Sequence, residues 1–166
     1  MNIERLFADK HYLETEISIL QSQKQIRIIK ENKELAFSHA NKAKHNMRFY
    51  SINKIHTNFA DWLIVILYYA FYHCALSLIT NRRYYSKNHY ATMLILIKEY
   101  LVTRDEADLL YELSINREDA QLYYDLKYDR HKASYNTNIG FRNDKILEYE
   151  SKVIGFMNKT QEILLL

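Results

Sequence analysis

The chain has 166 residues, a net charge of +3 and 48% hydrophobic residues, enough for one domain that buries roughly two thirds of its unfolded surface. It contains no proline and only two glycines, Gly140 and Gly155. Folds built on tight hairpins are therefore disfavoured, because their turns lean on those residue types. The single Cys74 excludes an intramolecular disulfide, and with no signal-peptide pattern at the N-terminus it points to a reducing, cytoplasmic setting.

Apolar residues recurring three and four apart predict an all-α antiparallel up-and-down bundle of about five to six helices. One domain is expected over 1–166, with an N-terminal helix and connection at 1–30 and the bundle proper at 31–166. The first helix is expected from about Ile3 to Gln23, with Leu6, Leu13, Ile17 and Leu20 on one stripe, followed by an irregular connection from Lys24 to Lys30. The second should run from Lys33 to about Ile55 with Leu35, Ala36, His39, Ala43 and Met47 inward. The third, about Phe59 to Ile79, is apolar almost all round and close to the length that spans a membrane. A span would have to satisfy the hydroxyls of Tyr68, Tyr69 and Tyr72 and the imidazole of His73, so a core helix and no membrane are expected. Ser86 is the candidate N-cap of a fourth helix reaching about Val102, and Asp105 starts a fifth to about Ser134. The last follows a loop from Asn136 to Gly140 and carries Ile146, Tyr149, Val153, Phe156 and Met157.

Charge is segregated. From Leu35 to Ala60 there is no acid, while Lys42, Lys44, Arg48 and Lys54 are interspersed with His39, His45 and His56. From Glu99 to Asp129 acids dominate. The two stretches either complement each other within the bundle or across a dimer, or the basic one forms a phosphate-binding face. No Glu precedes a His by three residues, which excludes the di-iron bundle pattern, and there is no zinc motif, phosphate-cradling glycine loop or nucleophile elbow. No metal or cofactor is expected, although seven histidines could assemble a site from separate helices.

Four segments carry more specific wording. Tyr68-Tyr69-Ala70-x-x-His73 lies in the third helix and Ser86-Lys87-x-His89 at the start of the next, while Arg130-x-x-Ala133-x-Tyr135 precedes the last helix. Upstream lies the stretch from Lys33 to Phe49. In this order, within a helical chain of this size, they resemble the HEPN family, in particular its small stand-alone prokaryotic members. The resemblance covers about Lys24 to Leu164. It implies a homodimer, RNA or a nucleotide as ligand, and a minimal nucleotidyltransferase as a further partner, as in toxin–antitoxin or defence systems.

Ribonucleases of that family carry an Arg followed after four to six residues by a His near the last helix pair, and they act without a metal. Such chemistry needs a proton shuttle matched to neutral pH and a fixed cation for the phosphorane charge. Here Arg130 stands at the matching place, but Tyr135, Asn136 and Thr137 occupy the allowed positions, so the histidine is missing. Arg82 and Arg83 lie in range of His89, but in the wrong loop.

The resulting expectation is a non-catalytic RNA- or nucleotide-binding module, with Lys87, Asn88, His89, Arg130, His131 and Tyr135 as binding residues. Trp62, Tyr68, Tyr69 and His73 are expected in the core. The alternatives are a ribonuclease using Arg130 with His131 or His89 as displaced base, and a purely structural dimerisation module.

Overall fold

A computed structural model of the chain describes residues 3–55, 60–113 and 143–165. Helices α1 (Ile3–Ala8) and α2 (Lys10–Ser22) stand where one continuous helix was expected. The break is at Asp9, whose backbone is extended and whose carboxylate accepts a hydrogen bond from the Tyr12 amide at 2.9 Å. An aspartate in this role satisfies one of the amides that a helix start leaves unpaired, so it begins a new helix inside an apolar stripe that itself runs on.

The expected irregular connection after α2 is instead a strand, β1 (Ile26–Ile28). It pairs antiparallel with β2 (Tyr84–Ser86), with Ile26 opposite Ser86, Arg27 opposite Tyr85 and Ile28 opposite Tyr84. Ile26 points into the core, and the Arg27 guanidinium lies 4.4 Å from the Tyr85 ring centre. This two-stranded ribbon ties the N-terminal helices to the turn that enters α5 (His89–Lys98).

Helix α3 (Lys33–Asn53) is capped by the Asn32 side chain on the Leu35 amide at 2.9 Å. Helix α4 (Ala60–Asn81) follows after a short connection. The Ser77 hydroxyl donates to the Ala36 carbonyl at 2.6 Å, and His39 meets His73. As the residue number rises on α3 it falls on α4, so the two helices are antiparallel. Ala36, Ala40 and Ala43 line the buried face of α3, and such small side chains allow the close approach that bond requires.

Helix α4 is long and apolar enough to cross a membrane by length and composition, but 67% of its most apolar window is buried within the structure. That is the position of a central bundle helix. On its other side lies α7 (Asn143–Leu165), where the Phe71 and Phe156 rings stack with centroids 4.2 Å apart. Tyr50 of α3 and Lys54 at its C-terminal cap both reach Glu150 of α7, at 3.3 and 2.8 Å.

The fourth expected helix is capped two residues later than Ser86 and runs from His89 to Lys98 rather than to about Val102. Its cap is Asn88, which accepts from the Ala91 amide at 2.8 Å. Ser86 is buried in β2 with its hydroxyl against Thr92 Oγ1. The stop is made by Tyr100 in a left-handed conformation (φ 54°), with the Leu101 amide on the Leu96 carbonyl and the Tyr100 amide on that of Ile97. Helix α6 is described over 104–113. It opens with a reciprocal pair: the Glu106 amide donates to Thr103 Oγ1 and the Thr103 amide to the Glu106 carboxylate. The remainder of the expected fifth helix lies outside the described residues.

The core runs through all of these elements, and Tyr50, Tyr68, Phe71, Leu94, Leu113, Tyr149 and Phe156 are buried in it. Trp62 and Tyr69, expected inside, are 42% and 39% exposed. The reason is geometric. Helix α4 is apolar on every side, but its neighbours α3, α5 and α7 leave one stripe only half covered, and Trp62, Ile66, Tyr69 and His73 recur along it at helical spacing.

Candidate functional site

The half-covered stripe of α4 is where polar chemistry gathers. Tyr68, Tyr69, Tyr72 and His73 occupy adjacent ridges one turn apart, so the helix spreads them between its two neighbours. On the α3 side, His73 Nδ1 lies 3.1 Å from His39 Nδ1, with the rings stacked at 30°. On the α5 side, the Tyr72 and His89 rings meet edge to face at 4.4 Å. Tyr68, wholly buried, places its hydroxyl against the His89 imidazole, with Oη 2.8 Å from Nε2. The Tyr68 and Tyr72 rings lie parallel, 5.8 Å apart. Tyr72 Oη is 3.4 Å from Thr92 Oγ1, which is 2.5 Å from Ser86 Oγ. Three helices thus contribute a belt of two clusters on either side of α4, His39 with His73 towards α3 and Tyr68 and Tyr72 with His89 towards α5.

Electrostatics keep the α3 end of the belt uncharged. Burial lowers the pKa of His39, and burial, helped by His39 and Lys42, pushes that of His73 down to about 4. Two neutral imidazoles facing through Nδ1 can share a single N–H, one donating and the other accepting. Burial likewise raises Tyr72, and it pushes the Cys74 thiol up to about 12, which leaves that cysteine a packing residue rather than a nucleophile.

Of the residues expected to bind a ligand, Lys87, Asn88 and His89 are brought to one end of this belt. Lys87 is exposed and its amide donates to the Gln25 carbonyl at 3.0 Å. Asn88 is committed to helix capping and also donates through Nδ2 to Gln25 Oε1 at 3.3 Å. His89 packs on the two tyrosines. Arg130, His131 and Tyr135 lie outside the described residues, and with them the Arg130-centred alternative. Compared with family models, curated proteins and solved structures, the chain gives no match.

Sequence reasoning named His39 and His73 separately, each as an inward-facing residue, and missed that they touch. They are 34 positions apart. Only the antiparallel register of α3 against α4, fixed by packing of small residues, brings them together. Among the described residues no group of three or more His, Cys, Asp or Glu is placed to hold a metal ion.

A second feature is the solvent face of α3. Lys42, Lys44, His45 and Arg48 are exposed on it, with Phe37 and Phe49 between or beside them. The cations at the two ends of α3 are paired, Lys33 with Glu31 and Lys54 with Glu150. Among the described residues no carboxylate pairs with Lys42, Lys44 or Arg48. Near the start of α3 a cleft of about 640 Å³ is lined by Lys33, Phe37, Arg82, Arg83 and Ile163, but Glu31 offsets much of its charge by pairing with both Lys33 and Arg83.

Proposed function

We propose that this chain is a HEPN-like helical module that binds RNA or a nucleotide without cutting it, working as a homodimer in a toxin–antitoxin or defence setting, with a minimal nucleotidyltransferase as its further partner. The observation that carries the reading is the face of α3. A helix of 21 residues keeps Lys42, Lys44 and Arg48 exposed and unopposed over a stretch with no acid after Glu34. Unpaired cations gathered on one helix segment cost self-repulsion and add nothing to the core, whereas a phosphate backbone offsets them. Exposed Phe37 on the same helix offers a ring on which an unpaired base can stack, the combination that single-strand binders use. The neighbouring belt adds Tyr69, and Lys42 lies close enough to act on His73.

Absence of cleavage follows from the missing histidine after Arg130 and from the engagement of His89 with Tyr68. The test is fluorescence anisotropy with a labelled single-stranded RNA across a salt series. Affinity should fall as salt rises. The combined change Lys42→Glu, Lys44→Glu and Arg48→Glu should flatten the log–log salt slope by about 2, at about 0.7 per phosphate contact on single strands. Intact RNA should be recovered after incubation in chelator. Salt-independent binding, or an unchanged slope in the triple variant, would remove the reading, and metal-independent cleavage lost in Arg130→Ala would replace it with the ribonuclease.

A further inference from the structure

The His39–His73 contact has a geometry that a hydrogen bond does not uniquely explain. Both rings present Nδ1 to each other at 3.1 Å, from two helices locked in register by the Ser77–Ala36 bond. Imidazole nitrogens bind late first-row ions at about 2.0–2.1 Å, and two nitrogens 3.1 Å apart then subtend about 100° at the ion, close to a tetrahedral or square-planar cis angle. We propose that His39 and His73 form a two-imidazole site for a late first-row divalent cation, Cu(II) binding most tightly, with its remaining coordination positions filled by water or an anion.

Three observations support the site. Both imidazoles are held neutral, so neither ligand must lose a proton charge to bind. Both residues are only partly buried, so the pair lies near the surface rather than deep in the core. The ligands are positioned by regular helices rather than loops, which leaves little ordering to be done on binding. No third imidazole, thiol or carboxylate joins them among the described residues, and Lys42 opposes a cation electrostatically. The ion should therefore be exchangeable, complete its sphere with water or an anion, and be stripped readily by chelators. The order of affinity follows from imidazole ligation and the general ranking of divalent ions, in which Cu(II) exceeds Zn(II) and Ni(II). The inference is independent of RNA binding and is read by other measurements.

The test uses the full chain, stripped with chelator and titrated with CuCl2. One equivalent should bind, and its electron paramagnetic resonance spectrum should show coupling to two nitrogens. His39→Gln and His73→Gln, confirmed folded by circular dichroism, should each bind at least tenfold more weakly and lose one nitrogen. His11→Gln, which changes an exposed histidine of α2, should bind like the wild type. Should the variants fail to fold, ring-nitrogen NMR of the wild type titrated with ZnCl2 answers instead, since two histidines alone should shift, at Nδ1. No stoichiometric uptake, one coupled nitrogen, or equal weakening by His11→Gln would overturn the site and leave the pair as a shared-proton hydrogen bond.

Discussion

Two histidines that face each other in a partly buried place are a stability element with a pH dependence of known sign. His73 is held near 4 in the folded chain, largely by burial, whereas an unfolded histidine titrates near 6.5. Between those values the unfolded chain binds a proton that the folded chain does not, so unfolding gains as pH falls. The contribution is fully present above about 6.5 and is lost as pH drops through about 4. After a discount for the partial exposure of the ring, its size is on the order of 1–2 kcal/mol. In metal-free protein, the stability advantage of wild type over His73→Gln in urea denaturation should therefore be larger at pH 7.5 than at pH 4.5. An advantage that stays constant with pH would show that the ring is not held neutral by its surroundings. Had Lys42 been the dominant cause, salt would abolish the effect; burial predicts that most of it survives salt.

Helices α3 and α4 come close because small residues face each other. The contacts Ala36–Ser77 and His39–His73 fix the register, and extending it places Ala43 opposite Ala70, both fully buried. Ala43→Leu would push a branched side chain into that seam and should cost about 1–3 kcal/mol, the usual range for overpacking a filled core. A fall in the denaturation midpoint without change in slope is the expected result, and an unaltered midpoint would mean that the seam is looser than its geometry implies. Element identity was legible from the apolar period: α3, α4 and α7 begin and end within a few residues of expectation. Element ends were legible only where a side chain announced them. Thr103 with Glu106 makes a reciprocal cap written openly in the sequence, yet the helix was expected to start at Asp105. The stops were harder. Lys24, Arg83 and Tyr100 turn the chain at positive φ of 57°, 65° and 54° after α2, α4 and α5. Glycine usually marks such stops, and this chain uses none there. The ribbon of β1 and β2 was hidden for a related reason. Its strands are three residues each, too short for alternation to register, and their pairing joins positions some sixty residues apart.

At the scale of the whole molecule, the stripe that sequence assigned to the interior turned out to be divided. Tyr68 and Ala70 are buried and His73 is half-buried against His39, but Trp62 and Tyr69 face outward, because period alone cannot say which side of an all-round apolar helix its neighbours will leave open. The aromatic residues of α6 and α7 offer little for a second copy to cover. Tyr149 and Phe156 are wholly committed to the core of a single chain, and Tyr111 is only partly exposed. Large exposed apolar side chains are found instead toward the end of α3, where Phe49, Ile52 and Ile55 are 53%, 63% and 76% exposed. Single exposed apolar residues need no explanation, but Phe49 and Ile52 on the last turns of α3 with Ile55 just beyond its end mark a surface with something to cover. A two-fold pairing of this end of α3 with its copy would bury all three twice and bring two sets of Lys42, Lys44 and Arg48 into one assembly. Assembly and RNA binding would then be coupled, since one strand could engage both sets. The double change Phe49→Glu and Ile52→Glu should give a folded monomer by sedimentation at tens of micromolar, the order at which a modest interface is populated. It should also weaken RNA binding while leaving all three cations in place. A wild-type chain that sediments as a monomer at that concentration would exclude the dimer. A dimer that survives the double change would place its interface elsewhere, because two carboxylates per copy buried without partners cannot be accommodated in an apolar contact.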